Sequence, residues 1–162
     1  MLSVEANQVH NIELYPVALS DRSGCSPFSS AIGSNGCLSR ESSFISNPAC
    51  KVVPTSRRED LVCQDIDFIK IDVEGAEALV VRGAEKTISQ HRPVITTELS
   101  MEMLKRVSGV EAIEYLRWSQ AIGYTVHLIS RPEGNLELVS DLGEFFSSWG
   151  DLGRIEDFVL FP

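Results

Sequence analysis

The sequence predicts an α/β fold with a mostly parallel sheet. Three observations point there. First, β-branched apolar runs alternate with segments of helical period from residue 66 onward, the rhythm of strand–helix–strand units. Second, the apolar run 66–72 stops at an acidic, glycine-containing turn, Asp72-Val73-Glu74-Gly75, and a helical pattern begins at once. In an open α/β sheet that junction is the carboxyl end of a strand, where ligands bind. Third, the chain has 162 residues, 43% hydrophobic and 23% charged, enough for a single domain with a real core.

Taken in order, 12–18 reads as a short strand whose Pro16 keeps it from an ideal central place. Ser20 to Gly24 forms a turn. The stretch 25–48 is rich in Ser, Gly and Asn, lacks clear periodicity and reads as a loop or weak hairpin. An extended piece follows at 51–54, then a short helix at 55–62 capped by Thr55 or Ser56. The strand 66–72 is mostly apolar, as expected for a strand buried on both faces. Ala76, Leu79, Val80, Gly83, Ala84 and Ile88 recur at three- and four-residue spacing, giving one apolar helix face. Strands are expected at 93–99, 124–129 and 157–161, and helices at 101–107 and 110–122, the latter ended by Gly123. A turn at 131–135 leads to a returning strand at 136–139. Asp141 and Glu144 then have capping-box spacing for a helix through Trp149.

Composition narrows the function. A net charge of −9 and a pI near 4.8 argue against nucleic acid, whose affinity comes largely from Lys and Arg, and against an anionic membrane surface. No apolar run reaches membrane-spanning length, and the first ten residues lack a secretion signal, so a cytoplasmic place is expected. Cys25, Cys37, Cys50 and Cys63 stand alone at spacings of 12, 13 and 13. Isolated thiols suit a reducing compartment, and no His, Cys or carboxylate spacing suggests a metal site.

The chemistry gathers at the turn after 66–72. Three carboxylates, Asp72, Glu74 and Glu77, fall within six residues there. Lys70 stands between two isoleucines, so it must reach the end of the sheet or pair with an acid, Asp72 or Glu98. Glu98 ends the next strand and should approach the same mouth. His10, His91 and His127 are scattered, and Trp118 and Trp149 lie at positions typical of packing.

The segment DFIKIDVEGAEALVVRGAEKTISQHRPVITTELS resembles the core signature of the FkbM-type methyltransferases. NIELYPVALSDRSG resembles that family's third strand and the turn after it, and GYTVHLI with DFVLFP its closing strand pair, so the likeness runs over about 7–162. The resemblance implies a Rossmann-like class I methyltransferase fold and S-adenosylmethionine as cofactor. It implies methyl transfer to a hydroxyl of a sugar, glycan or natural-product acceptor. On the matching positions it implies Asp72, Glu74 and Glu98 as catalytic residues. It implies Ala18, Leu19, Ser20, Asp21, Asp72 and Gly75 as the cofactor contacts.

One departure bears on this. The family's first strand and glycine loop, and the second strand with its ribose-binding acid, have no counterpart before 12–18. Gly33 to Gly36 does not sit between a strand and a helix. The expectation is therefore a single partial domain, 1–162, with an N-terminally truncated fold, the first two strands absent and Met1 internal to a longer frame. Strands 93–99, 124–129 and 157–161 should still join 66–72 in one sheet, with 12–18 closing against it or detached. The open edge of 66–72 then invites self-association. A non-catalytic remnant or association module is the alternative function.

Overall fold

In the computed structural model, residues 7–32, 35–38, 50–61, 64–150 and 153–162 are described. They form two sheets. The smaller contains β1 (Ala18–Leu19), β2 (Gly24–Ile32), β3 (Asn35–Leu38) and β4 (Cys50–Ser56), in the order β1-β4-β2-β3. The larger contains β5 (Phe68–Ile71), β6 (Val94–Ser100), β7 (Thr125–Ser130), β8 (Asn135–Leu138) and β9 (Ile155–Phe161), in the order β5-β6-β9-β7-β8. Strands expected at 66–72, 93–99, 124–129 and 157–161 do share this sheet.

The sheets are mixed, which corrects the expectation of a mostly parallel one. In the larger sheet only β5 with β6 is parallel, while β6 with β9, β7 with β9 and β7 with β8 are antiparallel. The reason is the last strand. β5, β6 and β7 do run one way, but β9 returns between β6 and β7 and reverses both contacts. The stretch 12–18 is also corrected. Only Ala18 and Leu19 are strand, and they pair with Thr55 and Ser56 of β4, with Ile12, Leu14 and Tyr15 left exposed. Within 25–48, β2 and β3 form a hairpin. The rest of that stretch, and Cys63, lie outside the described residues. Instead of a helix at 55–62, β4 runs to Ser56 and a 3-10 turn follows at Arg58–Asp60 with no side-chain cap.

Among the described residues there are five α-helices: α1 (Glu77–Gly83), α2 (Glu85–His91), α3 (Met101–Ser108), α4 (Ala112–Ala121) and α5 (Leu142–Trp149). The helical pattern beginning at 76 is thus broken at Ala84. α3 is capped by the Ser100 side chain, which accepts from Met103 N. α4 opens on a capping box made by Glu111 and Glu114, and α5 on Asp141, whose Oδ1 accepts from Glu144 N at 2.9 Å. Alternation along the strands divides the larger sheet into two faces. Ile95, Leu99, Val126, Phe158 and Leu160 are fully buried in a core shared with Leu104, Tyr115, Leu116 and Ile88 of the helices. Tyr115 donates to Thr97 Oγ1 at 3.3 Å. The other face carries Phe68, Lys70, Thr96, Glu98 and Asp157, and among the described residues no helix is long and apolar enough to cross a membrane.

Candidate functional site

The site is built on the turn between β5 and α1. Glu74 and Gly75 both take positive φ, +52° and +95°. Gly75 is required twice over. Its φ disfavours any side chain, and a Cβ there would lie 2.3 Å from the Met103 carbonyl oxygen, so α3 packs its backbone directly onto the turn. Both polar groups of Gly75 are held: its N–H donates to Glu77 Oε1 at 3.0 Å, and its carbonyl accepts from Ser108 Oγ at 2.5 Å. Glu77 is 2% exposed. Burial raises its pKa, against the opposing pull of the Glu77, Gly75 and Val73 N–H groups. Its hydrogen bond serves the turn, and its Oε2 is buried without a partner.

The turn delivers Glu74 to a carboxylate row. Glu98 of β6 lies opposite Asp157 of β9, and Asp72 follows the last β5–β6 pair, Ile71 with Thr97. Asp72, Glu74 and Glu98 bring carboxylate oxygens within 4.8 Å of one another, so Glu98, at the end of the neighbouring strand, does approach the same mouth. Lys70 Nζ pairs with Asp72 Oδ2 at 2.6 Å. Arg131 pairs with Asp157 and stands 4.0 Å from Glu98. Four carboxylates against two cations leave the rim at −2 with all ionised. Burial, and then the charges of Asp72, Asp157 and Glu74, raise the Glu98 pKa, while Arg131 lowers it. Below the rim, Phe68, Thr96, Ile129 and Phe158 help line a depression of about 370 Å³. The arrangement can hold a cationic group and accept a proton.

The structure places the other group of sequence-predicted residues elsewhere. Ala18 and Leu19 lie in β1, and Ser20 is buried with its N–H on Ser56 O at 2.9 Å. Ser20 Oγ donates to Asp21 Oδ1 at 3.2 Å. A Cβ on Gly83 would lie 2.0 Å from Ser20 O, so this segment sits against the far end of α1. Seven helical residues, about 10 Å, separate it from the Gly75 turn. The two groups therefore mark two ends of one elongated flank.

Sequence reasoning missed Asp157, Arg131 and Ser108. An acid inside an apolar strand was a usable signal for Asp157. Ser108 gave none, since a serine at a helix end reads as local capping. His91 ends α2 and approaches Asp65 at 3.3 Å. His127 lies edge-on to Phe161, and Trp149 is buried against Phe145, Phe146 and Phe158.

Comparison with known proteins agrees with this architecture. The model of the methyltransferase FkbM domain matches residues 2–126. A search of curated protein sequences finds no match. Among solved structures, the chain is similar to methyltransferase FkbM from Methylobacillus flagellatus, with a TM-score of 0.53 and 14% identity, covering 99% of this chain and 32% of that one. That likeness shows the fold, and the chain spans about a third of that protein's length. With the family model matched over most of its residues, the chain belongs to the FkbM methyltransferase domain family.

Proposed function

We propose that this chain carries the acidic half of an S-adenosylmethionine-dependent methyltransferase site whose acceptor is a hydroxyl on a sugar, glycan or natural product. The gathering of Asp72, Glu74 and Glu98 at the ends of β5 and β6 carries the reading. A rim that is negative after its own cations are counted suits a cationic ligand, which is how this donor set fits the cofactor. When bound, the cofactor supplies a methyl group on positively charged sulfur. Asp72 and Glu74 would hold and orient the charged end, on a turn that Gly75 lets α3 pack against. Ala18, Leu19, Ser20 and Asp21, against the other end of α1, would hold the adenine. Glu98, a stronger base than an ordinary carboxylate because its pKa is raised, accepts the acceptor's proton.

Chemical-shift mapping with S-adenosylmethionine tests this on the chain as it stands. Amides of 72–75 and 18–21 shift together, and Asp72→Asn with Glu74→Gln removes the shifts at 72–75. Shifts confined to other segments would overturn the reading. Affinity for this chain is expected to be very weak, since the described residues hold no glycine-rich strand–turn–helix.

A second reading rests on β5. Its outer edge pairs with no strand among the described residues, and Phe68 on it is 55% exposed. This favours self-association through added strand pairing.

A further inference from the structure

We infer that Ser108 is a positioning residue for Glu74, holding the Gly75 carbonyl and with it the left-handed turn that brings Glu74 to Asp72 and Glu98. The inference rests on the reading of that carboxylate group as the working part of the site.

The argument begins with what a helix serine ordinarily does. Its hydroxyl bonds back to a carbonyl three or four residues earlier. Ser89, Ser119, Ser147 and Ser148 do so, donating to Lys86, Leu116, Glu144 and Phe145. Ser108, the remaining serine within the described helices, reaches instead across 33 residues to Gly75 O at 2.5 Å. It is 3% exposed, so water does not supply a substitute donor. A buried carbonyl stripped of its partner carries a desolvation cost, which the turn can relieve by rotating that peptide plane toward solvent.

That plane links Gly75 to Ala76, so its rotation changes Gly75 ψ and, through the Gly75 Cα, the direction in which Glu74 leaves α1. Glu74 stands at φ +52°, a conformation that a non-glycine residue keeps only where its surroundings impose it. Three contacts impose it here: Ser108 on the carbonyl, Glu77 on the N–H, and the Met103 carbonyl filling the space where a Cβ would be. Two of the three come from α3, which begins directly after β6, three residues past Glu98. α3 thus ties the position of Glu74 to the strand that carries Glu98.

Carbon-13 NMR titration of the Glu98 carboxyl reads this without any methyl transfer, so a failed transferase assay leaves the result standing. Glu98 is faced by Asp72, Glu74, Asp157 and Arg131, with Lys70 on Asp72. Removing the Glu74 charge by Glu74→Gln lowers the Glu98 midpoint by about half a pH unit, the size of one screened charge near 5 Å in water. Ser108→Ala lowers it in the same direction, and adds nothing in the Glu74→Gln background because both act through one charge. Ser108→Thr, which keeps the hydroxyl, restores the midpoint. If Ser108→Ala does not fold, Ser108→Cys, a weak donor of similar size, replaces it with the same expected shift. An unchanged Glu98 midpoint in the Ser108 variant, or an equal shift with and without the Glu74 charge, would overturn the inference.

Discussion

Replacing Gly83 by alanine sets two effects of opposite sign against each other. Gly83 is the last residue of α1 and has ordinary helical conformation, so propensity alone favours alanine by up to about 1 kcal/mol. The structure argues the reverse. The new Cβ would sit 2.0 Å from Ser20 O, 2.9 Å from the Ser20 carbonyl carbon and 3.4 Å from Arg57 Cα. These are backbone atoms and cannot swing aside as a side-chain tip would. Ser20 is fixed through its N–H to Ser56 O, and the preceding β1 residues are paired to β4. Relief therefore requires the end of the small sheet to part from α1. Overpacking of this kind costs about 1–3 kcal/mol, and the helix gain offsets only part of it. A net loss of about 1–2 kcal/mol remains, which moves a urea midpoint down by roughly 0.5–1 M for a chain of this size. Equilibrium urea unfolding measures it, and hydrogen exchange should show amides at 18–20 and 55–57 losing protection first. A Gly83→Ala chain as stable as the parent, or more so, would refute the claim that close backbone approach outweighs propensity here.

Two further outcomes are open to measurement. Glu77 has its pKa raised by burial, so the stability linked to it is fully present below the ordinary carboxylate value of about 4.3 and is lost as pH rises through the folded value. Glu77→Gln cannot ionise, so its stability relative to the parent improves from about pH 4 to pH 7; urea unfolding at both values checks the sign, and a relative loss with rising pH contradicts it. Phe68→Lys places a charge on the outer edge of β5 and converts any concentration-dependent dimer to monomer in sedimentation experiments, whereas a dimer indifferent to this change excludes the β5 edge as its interface.

What the sequence revealed follows from which signals are local. Strands 93–99 and 124–129 are β-branched runs bounded by turns, and the capping residue Asp141 stands at the spacing its helix requires. The Asp72–Glu74 mouth was visible because an apolar run ends there in acid and glycine. What stayed hidden depends on distant partners. The mixed sheet follows from where β9 inserts, which no window of residues records. The approach of Ser20 to Gly83 and of Met103 to Gly75 joins segments that are far apart in the chain. Asp157 joins Glu98 only through strand register. Glu77 looked like one more carboxylate of the mouth, yet its burial turns it inward to the Gly75 N–H. Pro16 was read as a mild defect in a strand, but the chain from 12 to 17 forms no strand at all.

The interior place of β9 has a consequence for biogenesis. A ribosome releases β6 and β7 well before the residues from Ile155 to Phe161, yet those two strands meet only through them. Until that stretch emerges, β6 lacks its second neighbour and the nascent chain holds unmated apolar backbone. The large sheet therefore closes only once residues 155–161 have emerged, through the long-range pairing of β6 with β9.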